Sequence, residues 1–133
     1  MIIDFHTHIF PNKIAEKTIQ SLSNKANVKA STNGTLEGLL QSMEQAQVDM
    51  SVILPVATKV AQMENINTYA KSVCENYPGK LISFGGIHPD CEDYKKELKH
   101  IKNLGLKGIK IHPDYQGVMI DDVRFMNIIE YAS

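Results

Sequence analysis

Met1-Ile2-Ile3-Asp4-Phe5-His6-Thr7-His8 is an apolar run that ends in two histidines one residue apart. Side chains alternate across a strand, which puts Asp4, His6 and His8 on one face and Ile3, Phe5 and Thr7 on the other. Two imidazoles so spaced suit one metal ion, since histidine is the commonest nitrogen ligand for zinc and similar divalent ions; the remaining ligands must come from elsewhere. Such an ion would polarise a substrate carbonyl and make a nucleophile of water near neutral pH. The alternative is a pair of histidines that bind nothing. It leaves the apolar flanks unexplained, and burying two unpartnered imidazoles costs free energy.

Downstream, strands and helices alternate. Pro11 opens a helix carried by Ile14, Thr18, Ile19 and Leu22, and residues 23–34 turn polar and read as a loop. Thr35 caps a second helix with Leu36, Leu39, Leu40 and Met43 on one face. Residues 48–54 form a second strand closed by Pro55. A helix follows through Val60, Met63, Ile66, Ala70, Val73 and Tyr77, and Pro78-Gly79 stops it. Residues 81–87 form a third strand in which Gly85-Gly86 implies close approach of another group. His88-Pro89-Asp90 ends that strand, with Asp90 set to cap a helix bearing Tyr94, Leu98 and Ile101. After Gly105, residues 108–112 form a fourth strand ending at His112-Pro113, and Asp114, Tyr115, Gln116 and Gly117 read as a polar loop. Asp121 or Asp122 then caps a last helix with Phe125, Ile128, Ile129 and Ala132 on one face.

Strand-then-helix repeated four times predicts an α/β domain with parallel strands and right-handed crossovers. The first, third and fourth strands all end in histidine, at His6 and His8, His88, and His112. In a barrel those ends face one mouth, whereas an open sheet would spread them along an edge. A complete barrel takes about 250 residues and eight repeats. The expected fold is therefore the N-terminal half, four strand-helix repeats, of a (β/α)8 TIM barrel, forming a single domain over residues 1–133.

On the fourth strand Lys110 and His112 share a face, while Ile109 and Ile111 turn to the helices. A buried lysine requires either a partner, for which Asp4 is the candidate, or a lowered pKa. His112 is a candidate for proton transfer or substrate binding. Its bland alternative is a histidine that merely ends a strand before proline. His88 and Tyr115 are candidate substrate residues, and ordinary packing is the competing reading for each. Gln116 is placed with Tyr115, lining a pocket or simply packing a loop. His100, among lysines on a helix, reads as exposed and without a role. Cys74 and Cys91 are too few and too isolated for a disulfide framework or a metal-binding pair, and read as free thiols. Met43, Met63 and Met126 read as core fillers.

Composition bounds the function classes. The chain has 43% hydrophobic and 22% charged residues, with fourteen basic residues against fifteen acidic. A formal net charge of -1 offers no electrostatic reason to expect nucleic acid or an anionic membrane as partner. No run approaches the roughly 18 apolar residues of a membrane span, and no secretory signal pattern opens the chain. The expected location is cytoplasmic and the expected partner a small-molecule substrate.

Three motifs, Asp4-Phe5-His6-Thr7-His8, Gly86-Ile87-His88-Pro89, and Gly105-Leu106-Lys107-Gly108-Ile109-Lys110-Ile111-His112-Pro113, occur in an order that resembles the amidohydrolase superfamily. The similarity runs along the whole chain. It is nearest to the metal-dependent hydrolases whose branch includes aminocarboxymuconate semialdehyde decarboxylase. The resemblance implies a barrel enzyme with one divalent metal, usually zinc, held by His6 and His8. It also implies a histidine at the end of a fifth strand and an aspartate at the end of an eighth, so the chain is expected to be an N-terminal portion. By itself it is expected to bind metal weakly and to be inactive as a hydrolase. His112, Lys110 and Asp4 become the candidate catalytic residues; some superfamily members carboxylate a lysine on the fourth strand.

Three alternatives stand beside a hydrolase acting on an amide, ester or carboxylate. One is a related metal-dependent decarboxylase. Another is a TatD-type nuclease, against which Lys110-Ile111-His112 stands where that family is expected to place a glutamate. The last is a non-catalytic half-barrel that self-associates into a homo-oligomer through its exposed edges.

Overall fold

The computed structural model describes residues 1–133, the side chain of Ala26 excepted. The chain divides into two compact units, Met1–Ile53 and Leu54–Ser133.

In the first unit, strand β1 (Ile3–Thr7) is joined through helices α1 (Asn12–Ala26) and α2 (Leu36–Gln45) to strand β2 (Met50–Ile53), and the two strands pair in parallel. The polar stretch expected as a loop from residue 23 instead extends α1 by a turn. Lys25 lies in that turn, where a cation suits the helix dipole, and Asn27 closes the helix in the left-handed region at φ 52°. Thr35 caps α2 as expected, its hydroxyl accepting the Gly38 N–H at 3.0 Å. Gly34 before it has φ 68°, and a Cβ there would lie 2.6 Å from Ile19 Cγ1, so both backbone and space call for glycine.

Register along β1 and β2 slips between Asp4 and Thr7. There the buried Thr7 hydroxyl donates to the Val52 carbonyl at 2.8 Å, a side-chain bond where the regular ladder is interrupted. Met43, Val52, Ile53, Ile9 and Ala15 are buried. The apolar flank of the opening run behaves differently. Ile3 is 45% and Phe5 61% exposed on this edge strand, and Asp4, His6 and His8 are exposed too. The cost of burying two unpartnered imidazoles, one of the arguments against a pair that binds nothing, therefore does not apply here.

The second unit contains a 3-10 turn (Val60–Gln62), helix α3 (Met63–Asn76), strands β3 (Leu81–Ser83) and β4 (Gly85–Gly86), and helix α4 (Tyr94–Asn103). Strand β5 (Ile109–Lys110), a short helix α5 (Pro113–Gln116) and helix α6 (Val123–Ala132) follow. β4 and β5 pair in parallel, Gly85 opposite Ile109 and Gly86 opposite Lys110. The single strand expected over residues 81–87 is thus two pieces broken at Phe84. A Cβ on Gly85 would meet the Ile101 side chain at 2.6 Å, and one on Gly86 would meet the Ala57 nitrogen and Pro55 oxygen at 3.3 Å. The close approach read from the two glycines is real.

Asn67 completes this strand. Its amide accepts the Gly86 N–H at 2.8 Å and donates to the Gly86 carbonyl at 3.1 Å, so a helix side chain acts where a neighbouring strand would. The core around it joins Ala57, Met63, Ala70, Ile87, Cys91, Leu98, Ile101, Leu106 and Ile128.

Two further local expectations change. Asp90 does not cap α4, whose cap position is Asp93 without a side-chain bond; the Asp90 carboxylate pairs with Arg124 instead. A guanidinium offers a charge-assisted bond, stronger than a neutral backbone donor. The expected polar loop after His112 is a helical turn, because Pro113 is pre-set for the first helical position and Gly117, at φ 67°, ends it. Asp122 caps α6, accepting the Arg124 N–H at 2.9 Å.

Candidate functional site

The strand-end histidines fall into two groups, one in each unit. In the first, β1 stops at Thr7, so His6 is its penultimate residue and His8 the first beyond it. The two rings are 4.9 Å apart between centroids and nearly edge to face, at 66°. Asp4 Oδ1 accepts the His6 backbone N–H at 3.1 Å, a local contact that steadies the chain carrying the first imidazole.

Two adjacent, solvent-facing imidazoles fit two positions around a divalent ion, by donor type and by proximity. Among the described residues no group of three or more His, Cys, Asp or Glu side chains is gathered as a metal cage. The pair offers two nitrogen donors.

The second unit holds His88, Lys110, His112 and Tyr115. His88 is 6% exposed, and its Nδ1 accepts the Asp90 N–H at 3.2 Å. An accepting Nδ1 leaves the proton on Nε2, which selects the tautomer. Its own backbone N–H meets Met63 Sδ at 3.3 Å. The Asp90 side chain runs on to Arg124, which also grips Asp122 through Nε and Nη2 at 2.9 Å each. Those bonds hold the Asp122 carboxyl down at about 2 and push the guanidinium above its ordinary range.

Lys110 is half-buried, and burial lowers its ammonium below the ordinary lysine value. Of the two outcomes open to a buried lysine, the lowered pKa is therefore present. Two residues on, the His112 ring lies on Tyr115 at 4.2 Å between centroids, tilted by 36°. His100 is not the exposed bystander expected: it is half-buried, with Nε2 3.7 Å from Glu64 Oε2. Both cysteines are free, and burial is the main cause raising each thiol above its ordinary value.

Sequence reasoning missed Asn67 and undervalued Gln116. Asn67 had a readable signal, a polar residue on the stripe otherwise made by Met63, Ala70 and Val73. Gln116 had none beyond its place in a polar stretch. It is 8% exposed, and its amide reaches three chain segments. A cleft of about 260 Å³ beside the His88 turn is lined by Pro89, Cys91, Tyr94 and Asn127 among others, and by none of the predicted site residues.

Parallel strands joined by helices match a partial (β/α) barrel, and solved structures share that fold. No family model matches the chain, and no curated protein matches it. Over 98% of its length it superposes on 5-carboxyvanillate decarboxylase from Novosphingobium aromaticivorans, in complex with manganese and 4-hydroxy-3-methoxy-5-nitrobenzoic acid, with a TM-score of 0.74 and 17% identity. A probable 2-pyrone-4,6-dicarboxylic acid hydrolase from Acinetobacter baumannii matches over 98% of this chain and 45% of its own, with a TM-score of 0.60 and 15% identity. The 2,6-dihydroxybenzoate decarboxylase from Rhizobium matches over 98% and 46%, with a TM-score of 0.61 and 11% identity. The chain spans about half the length of these structures, 47% in the first. By name, these neighbours are two decarboxylases and a probable hydrolase.

Among the described residues no helix is long and apolar enough to cross a membrane.

Proposed function

We propose that the chain carries the first part of the site of a metal-dependent, amidohydrolase-type hydrolase acting on a small molecule with an amide, ester or carboxylate group. The observation that carries this reading is the His6–His8 pair, two imidazoles 4.9 Å apart and open to solvent at the end of a strand. A divalent ion held there, zinc or the manganese bound by a structural neighbour, would supply Lewis acidity toward a substrate oxygen.

The chain's own groups have separable tasks. Asp4 holds the backbone of His6. Lys110, its proton loosened by burial, binds a substrate carboxylate or gives up a proton at Nζ. His112 is the proton carrier, and Tyr115 under its ring restricts the angles from which it works. His88 presents a donor at Nε2.

Decarboxylation is the second reading. It is supported by neighbours that act on 5-carboxyvanillate and 2,6-dihydroxybenzoate, and by a lysine suited to a carboxylate.

The grip is tested by titrating the 133-residue chain with manganese and with zinc, beside His6→Ala and His8→Ala. One weak site is expected, weakened about tenfold or more in either variant, since even an outer-shell partner is worth that much. Unchanged binding in the double variant would sink the reading. In a protein carrying the whole barrel, release of carbon dioxide, against a new carboxylate, from carboxylated phenols and cyclic esters then separates decarboxylase from hydrolase.

A further inference from the structure

The last paired residues of β4 and β5 are Gly86 and Lys110. Beyond that pair lie the Ile87 carbonyl, one residue past Gly86, and the His112 N–H, two residues past Lys110, at the point where each strand delivers a histidine. Gln116 takes up both. Its Oε1 accepts the His112 N–H at 2.8 Å, and its Nε2 donates to the Ile87 carbonyl at 2.7 Å and to the Ala57 carbonyl at 2.8 Å. Three of the four hydrogen-bonding positions of one buried amide are thus spent on three strand-end segments.

The turn bearing Gln116 is built for this. Pro113 opens it, the Gln116 N–H returns to the His112 carbonyl at 3.0 Å, and Tyr115 puts its ring against that of His112. His112 is therefore held by its backbone on one side and its ring on the other, by residues three and four positions ahead. The Ile87 carbonyl lies directly before His88.

We infer that Gln116 is a positioning residue, whose amide sets where His112 and His88 leave their strands and so the spacing of the two imidazoles. The inference rests on the proposed roles of those histidines, but its test uses neither metal nor turnover. A chain that binds no metal would fail the functional reading and leave this test intact.

The test is side-chain and backbone NMR of the full 133-residue chain, uniformly labelled with nitrogen-15 and carbon-13, as wild type, Gln116→Met and Gln116→Glu. In Gln116→Met the His112 amide proton is expected to move upfield. The ring-current shift that Tyr115 imposes on His112 should fall, and the His88 ring signals should move, while those of His6, His8 and His100 stay. Gln116→Glu keeps an acceptor for His112 and loses the donors to Ile87 and Ala57, so it should restore the His112 amide shift and not the His88 ring. Variants that merely unfold at lower temperature, with both imidazoles unmoved, would overturn the inference. Should neither variant fold, the wild type still decides: slow exchange of the Gln116 Nε2 protons, with couplings to the Ile87 and Ala57 carbonyls, supports it, and exchange as fast as a free primary amide overturns it.

Discussion

Strand β1 and the β4–β5 pair both deliver histidines, yet they treat them oppositely. Around His6 and His8 the strand is exposed up to the buried Thr7, its apolar residues included, and Asp4 and Thr7 contribute a carboxylate contact and a hydroxyl bond. Around His88 and His112 the strands are only two residues long, but a buried amide from Asn67 serves Gly86 as a neighbouring strand would, and one from Gln116 takes over beyond the last pair. The difference is one of support: a low-dielectric polar network whose donors and acceptors are satisfied holds the backbone beside His88 and His112, whereas His6 and His8 face solvent.

The contrast is most sharply broken by exchanging one aromatic in each unit. Phe125 is fully buried, and Phe125→Ala should cost about 3–5 kcal/mol in urea unfolding, whereas Phe5→Ala, at an exposed position, should stay within about 0.5 kcal/mol. Comparable losses would mean that β1 is covered in solution. Next, Asn67→Ala leaves Gly86 without its side-chain partners and should cost about 1–3 kcal/mol by the same measurement. A neutral result would remove the surrogate-strand role. Thr7→Val, which deletes the single hydroxyl bond across the slipped register, should cost about 1 kcal/mol.

The smallest effect is electrostatic. The Asp122 carboxyl titrates at about 2 in the fold against an ordinary value of 3.8. Its depressed value means that the charged cap supports α6 fully above the ordinary value and loses that support as pH falls from 3.8 toward about 2. Asp122→Asn should flatten the acid limb of helix content in that window, and salt should shrink the wild-type effect because the pair is exposed.

Much of this was legible in the chain. The alternation of strands and helices, the Thr35 cap and a cap at Asp121 or Asp122 all depend on residues a few positions apart, which is the range over which periodicity and capping act; the crowding at Gly85-Gly86 was legible from the glycines, though the atoms that crowd them, on Ile101, Ala57 and Pro55, were not. Where the reading failed, a distant partner intervened. Asp90 was set by sequence to cap a helix but is claimed by Arg124, 34 residues later. The pair at His6 and His8 was legible as donors, while its exposure was not, because solvent contact belongs to the whole fold and not to the alternation of side chains.

The sequence by itself determined a parallel α/β chain with histidines at strand ends, since backbone geometry turns spacing directly into faces and termini. Only the tertiary structure decided which of those histidines are open and which are held. That choice is made by bonds such as Asn67 to Gly86 and Gln116 to Ile87 and Ala57, across 19, 29 and 59 residues. A buried amide finds its partners by where the strands stop, and no local pattern encodes that.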